Sequence, residues 1–127
     1  MTNSSPPPAN TAPITPGEIT ITVVNRSRKK KPELNYTYIG RPSVYGNPFY
    51  MDDEEERDLS CDRFAQYFNE RLQRDPHYVE AMHRLKRIAM RQGYLKLECF
   101  CAPKRCHGDT IAEHVRKLIE EECQKSS

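Results

Sequence analysis

Gly93-Tyr94-Leu95-Lys96-Leu97-Glu98-Cys99-Phe100-Cys101 is the stretch that decides the fold. Gly93 closes a helical pattern, because a glycine takes the left-handed turn that ends a helix at little cost. Beyond it Leu95, Leu97, Cys99 and Cys101 recur at every second position. On a strand that spacing puts all four on one face.

Upstream, Tyr78, Met82, Leu85 and Ala89 fall on one helical stripe. Asp75-Pro76 opens that helix with a capping side chain and a proline in its first turn. Phe64, Phe68 and Leu72 mark a helix before it, with Ser60 as its expected N-cap. Downstream, Ile111, Val115, Leu118 and Ile119 form a third stripe. Thr110 and Glu113 are spaced as a capping box for it.

Two further strands precede the helices. Ile19, Ile21 and Val23 alternate within residues 18–25, and residues 34–39 are rich in tyrosine and β-branched side chains. The expected order is thus β-β-α-α-β-α. The helical crossover predicts a parallel pair between the second and third strands. A hairpin between the first two would make a small mixed sheet of about three strands flanked by helices, an α/β domain.

Composition narrows the class. The chain has 127 residues, a net charge of +2 and five cysteines. That length fits one domain, expected over residues 17–125, after a proline- and serine-rich tail over 1–16 expected to be disordered. No apolar run reaches the roughly 20 residues that span a bilayer, so no membrane partner is expected. No secretory signal is read at the N-terminus, and the expected location is cytoplasmic. The cysteines then read as thiols or metal ligands rather than disulfides.

Chemistry concentrates in Cys99-Phe100-Cys101-Ala102-Pro103-Lys104-Arg105-Cys106-His107-Gly108-Asp109. Cys99, Cys101, Cys106 and His107 are four donors in nine residues, a set that suits tetrahedral zinc. The spacing is not that of a standard finger, and Cys99 and Cys101 also read as small buried hydrophobes. Without metal, Cys106 at a helix start beside Lys104 and Arg105 reads as a nucleophilic thiolate, with His107 or His114 as its base. The phosphatase spacing fails, since Ala112 stands where its arginine belongs. Cys101 to His107 distantly echoes a haem attachment, which the expected compartment disfavours. An iron–sulfur pattern of the NEET type is broken by Thr110.

A second loop, residues 40–49, carries two glycines and two prolines. A stiff loop after a strand is a common seat for ligand groups. If both loops lie at one sheet edge, Gly40, Arg41, Ser43 and Asn47 from one and Arg105, Gly108, Asp109 and Thr110 from the other surround an anion site at a helix start. The bland reading is that Arg41 makes an ion pair and Asp109 only caps a helix. The basic run Arg26 to Lys31 reads as a solvated loop or as a phosphate-gripping contact for nucleic acid.

The two loops together resemble a domain-of-unknown-function family of bacteriophages and bacteria. Its pattern is G-R-x-S-x-x-G-N-P-F, then L-x-C-x-C-x-P-x-x-C-H-G-D beginning here at Leu97. The resemblance spans roughly residues 20–120 and implies that both loops belong to one compact domain. It also implies a bacterial or phage-infected host cell, and it carries no settled activity. The expected function is a domain binding a nucleotide-like or phosphorylated small molecule at the two loops, with a zinc or reactive-thiol site. The alternative is a nucleic-acid- or protein-binding accessory protein with a structural zinc.

Overall fold

A computed structural model describes residues 16–26, 36–102 and 104–125. Residues 1–15 of the expected tail and most of the basic run, Lys29 to Lys31 included, lie outside them.

Strands β1 (Thr20–Asn25), β2 (Tyr36–Tyr38) and β3 (Tyr94–Cys99) and helices α1 (Arg57–Arg74), α2 (Pro76–Gln92) and α3 (Gly108–Lys125) follow in the order expected, β-β-α-α-β-α. The fold is α/β. The sheet order is β1-β3-β2, and both outer strands run parallel to β3. The first two strands therefore do not form a hairpin, and the sheet is parallel rather than mixed. The helical crossover of α1 and α2 brings β3 in parallel to β2, and Leu95 and Leu97 place it at the centre. Both are fully buried, and a strand with so apolar a face is best covered from both edges and from above. Register places Ile21 beside Leu95, Val23 beside Leu97, and Thr37 on the other side of Leu97.

Helices α2 and α3 pack on this sheet and on each other. The stripe Tyr78, Met82, Leu85 and Ala89 is wholly buried, as are Ile111, Val115 and Ile119 of α3. Asp75 accepts hydrogen bonds from the His77 and Tyr78 N–H groups, and Gly93 ends α2 at φ 86°. Both ends of the α2 cap pattern are thus realised as read.

Two boundaries and one cap differ from expectation. Helix α1 begins at Arg57, after a short 3-10 turn at Glu54–Glu56, so Ser60 lies inside it rather than capping it. Ser60 is buried because its Oγ donates to the Phe49 carbonyl at 2.8 Å. Helix α3 begins at Gly108, so Thr110 is also internal. Asp109 reaches back instead, accepting from the Cys106 N–H at 3.3 Å. Strand β3 stops at Cys99, so Cys101 lies beyond the strand and does not share its face.

Candidate functional site

The carboxyl ends of β2 and β3 open on a cavity of about 350 Å³, within the range of small-molecule sites. One wall is Gly40, Arg41, Asn47 and Phe49 from the loop after β2. The opposite wall is Cys99, Phe100, Cys101, Cys106 and His107 after β3. Helix α1 supplies Arg57, Ser60 and Cys61. Both loops named by the sequence therefore meet at one edge of the sheet.

Local bonds fix each wall. Asn47 donates from Nδ2 to Ser60 Oγ at 3.0 Å and accepts the Phe49 N–H on Oδ1 at 2.8 Å. It thereby ties the loop to α1. Arg41 donates from Nη1 to the Asn47 carbonyl at 3.0 Å, and its guanidinium lies 3.6 Å from the centre of the Tyr50 ring. Tyr38 donates its hydroxyl to the Arg41 carbonyl at 2.9 Å. Across the cavity, Asn25 at the end of β1 donates to the carbonyls of Phe100 and Ala102, at 3.2 and 2.9 Å.

The inner wall is a sulfur pair. Cys99 Sγ and Cys106 Sγ stand 3.4 Å apart, and both residues are buried. The Cys106 S–H supports a thiolate on Cys99, and the Cys101 and Ala102 backbone N–H groups add to it. The Cys99 thiol is thus pushed below the ordinary thiol value despite its burial. The Cys106 thiol is pushed above it by the same bond to Cys99 and by burial. Sequence reading put the thiolate on Cys106, which is the partner of Cys99 in this contact and accepts the Gly108 N–H at 3.3 Å.

His107 is buried, with Nε2 2.7 Å from the Ile39 carbonyl and its ring edge-on to Phe64. A carbonyl accepts only, so Nε2 carries the hydrogen. Burial pushes this imidazole's pKa down and keeps it neutral. Of the four expected zinc ligands, two of the three sulfurs, those of Cys99 and Cys106, converge. His107 spends Nε2 on Ile39, and Cys101 lies against the Arg57 guanidinium. Among the described residues, no group of three or more His, Cys, Asp or Glu side chains stands placed to hold a metal ion.

The helix-start anion site takes a different form from the one expected. The Gly108 N–H donates to Cys106 Sγ at 3.3 Å, and the Asp109 and Thr110 N–H groups go to the carbonyls of Cys106 and His107. The start of α3 thus turns its amides on a sulfur and on its own chain. Gly108 is small for packing reasons, since an added Cβ would lie 2.8 Å from Ile39 Cδ1. Asp109 lines a separate groove with Lys104 and Arg116. Arg105 leaves the cavity to pair with Asp58 at 3.0 Å and Asp62 at 2.8 Å. Ser43 closes a turn onto the Gly40 carbonyl and lines a neighbouring groove with Tyr50 and Arg71.

The family model described as Domain of unknown function (DUF4326) matches residues 24–117. The chain belongs to this family. No curated protein and no solved structure matches it. The matched span runs from the end of β1 into α3, so the DUF4326 domain encloses both walls of the cavity.

Sequence reasoning missed Arg57, whose side chain is only 13% exposed. It donates from Nη1 to the Arg105 carbonyl at 2.8 Å and pairs with Glu54. That arginine and Lys104 hold the Glu54 carboxyl low, at about 2. In sequence Arg57 sits inside the acidic run 52–58, which reads as solvated surface. His114, the other candidate base, lies elsewhere, with its ring against Phe68.

Proposed function

We propose that this DUF4326 domain binds a small anionic molecule, nucleotide-like or phosphorylated, in the cavity between the 40–49 loop and the 99–107 segment. The observation that supports this reading is the cavity itself. It is of ligand size, it opens at the carboxyl ends of parallel strands, and Arg41 and Arg57 are among its lining residues. Ligands of open parallel sheets bind at that edge, and guanidinium is the side chain best shaped for phosphate and carboxylate. Phe100, half-exposed and edge-on to Tyr38 with ring centres 6.2 Å apart, offers an apolar surface at the same opening.

The test is thermal shift followed by titration calorimetry, using inorganic phosphate, nucleoside monophosphates and nucleoside diphosphates as probes. Binding weakened about tenfold or more by Arg41→Ala, and little affected by salt, supports the cavity. Steep loss of affinity with salt, or binding abolished by replacing Lys29, Lys30 and Lys31 with Ala, would favour the nucleic-acid patch and overturn it. Elemental analysis of the same preparation decides the zinc expectation. Near-stoichiometric zinc that disappears in Cys99→Ser would make the inner wall a metal site.

A further inference from the structure

Anion binding leaves the sulfur pair unexplained. A buried cysteine is ordinarily a small hydrophobe that packs alone. Cys99 and Cys106 are 2% and 3% exposed, yet their sulfurs face one another at 3.4 Å. The Gly108 N–H is aimed at the pair, donating to Cys106 Sγ at 3.3 Å. Gly108 is the first residue of α3, so the positive end of a helix faces the pair. Donors aimed at sulfur stabilise negative charge there, which volume-filling thiols do not require.

The pair also has access, because both residues line the cavity. A cavity of about 350 Å³ has room for a small molecule. We propose that Cys99 and Cys106 are a two-electron redox couple that reduces a small hydroperoxide entering through this cavity. The proposal takes up the reactive-thiol expectation of the sequence and is independent of the anion-binding reading above.

The chemistry balances with the groups present. The Cys99 thiolate attacks the terminal oxygen of the hydroperoxide, so an S–O bond forms and the O–O bond breaks. The departing alkoxide takes the Cys106 proton and leaves as the alcohol. Cys106, now a thiolate 3.4 Å away, attacks the Cys99 sulfenic sulfur. An S–S bond forms, the S–O bond breaks, and hydroxide leaves to take back from solvent the proton that Cys99 released on ionising, giving water. Two cysteine sulfurs are oxidised by two electrons while the peroxide is reduced to alcohol and water. A low-molecular-weight thiol, itself oxidised to its disulfide, returns the pair to the reduced state. Closing from 3.4 Å to the roughly 2 Å of a disulfide is a side-chain movement.

The test treats the reduced full-length protein with one equivalent of hydrogen peroxide, with no other ligand, and reads intact mass and a peptide map. The expected result is a loss of about 2 Da, a Cys99–Cys106 cross-link, and reversal by dithiothreitol. The reaction should run about tenfold or more faster than that of N-acetylcysteine in the same buffer. In Cys106→Ser, Cys99 should instead be trapped as a sulfenic acid that dimedone labels. Circular dichroism confirms that the variant is folded, and Cys106→Ala serves as the second variant. Oxidation at Cys61, Cys101 or Cys123 in place of the pair would overturn the proposal. So would a rate no greater than the free thiol's, or stoichiometric zinc on the two sulfurs. A failure of phosphate or nucleotide binding leaves these readouts untouched, so the two readings fall separately.

Discussion

His107 donates Nε2–H to the Ile39 carbonyl at 2.7 Å, and this one bond joins the start of α3 to the end of β2 across 68 residues of chain. Ile39 in turn donates its N–H to the Glu98 carbonyl of β3 at 2.9 Å. The two cavity walls are therefore held by a continuous path of hydrogen bonds, with the histidine as its last link. An aromatic neighbour, Phe64, closes the other side of the ring.

His107→Ala should accordingly destabilise the protein by about 2–4 kcal/mol, from lost packing and a buried carbonyl left unpartnered. Urea unfolding checks this, with a lower midpoint at an unchanged slope. A change below about 0.5 kcal/mol would mean that the ring is there for chemistry rather than for structure.

Gly108→Ala places a Cβ 2.8 Å from Ile39 Cδ1 and 3.2 Å from both Val23 methyl groups. Overpacking of this kind costs about 1–3 kcal/mol. Ile39→Val removes the nearest methyl, so the double variant should recover part of the loss, and the two changes should not add. Strict additivity in a denaturation cycle would show that the contact does not matter.

Arg105→Ala should leave ligand binding intact and cost under about 1 kcal/mol, since its ion pairs with Asp58 and Asp62 are largely exposed. Calorimetry on this variant beside Arg41→Ala separates the two arginines that sequence reading placed in one site. Equal losses of affinity would return Arg105 to the cavity.

Acid should weaken the fold in two stages. Burial lowers the folded-state pKa of both His107 and His114 below 6.5. As pH falls through about 6.5 the unfolded chain takes up these protons first, so stability drops. Glu54, Asp75, Glu80 and Glu122 are lowered by Arg57, Arg71, Arg87 and Lys86 respectively. Their contribution is present at neutral pH and disappears only below about pH 4.5, as each carboxylate is protonated. Urea midpoints at pH 7.5, 6.5 and 5.5 follow the first stage, and His114→Gln should shallow it. A midpoint constant over that range contradicts the burial of these rings.

The sequence was informative where the physics is local. Asp75, Pro76 and Gly93 delimit α2 because caps act within one turn. The two loops were found because glycine, proline and cysteine are uncommon enough to mark a segment by themselves. What stayed hidden depends on partners far along the chain. Thr20 pairs with Tyr94, and nothing near either residue announces a parallel ladder rather than a hairpin. Arg105 reads as an anion ligand until α1 places Asp58 and Asp62 beside it. The amide of Gly108 looks available until Cys106 turns its sulfur back onto it.

The strand order has a consequence for how the chain comes to be folded. β3 lies between β1 and β2 in space and after both in sequence. While the ribosome is still making residues 26–93, neither outer strand has its partner, and every parallel pairing waits for residues 94–99. Such non-local closure is slow, and the waiting strand edges are exposed to wrong partners. Of the elements made first, α2 carries its own start and stop signals, so a helix is the part of the nascent chain best able to form while the sheet is still waiting for its centre.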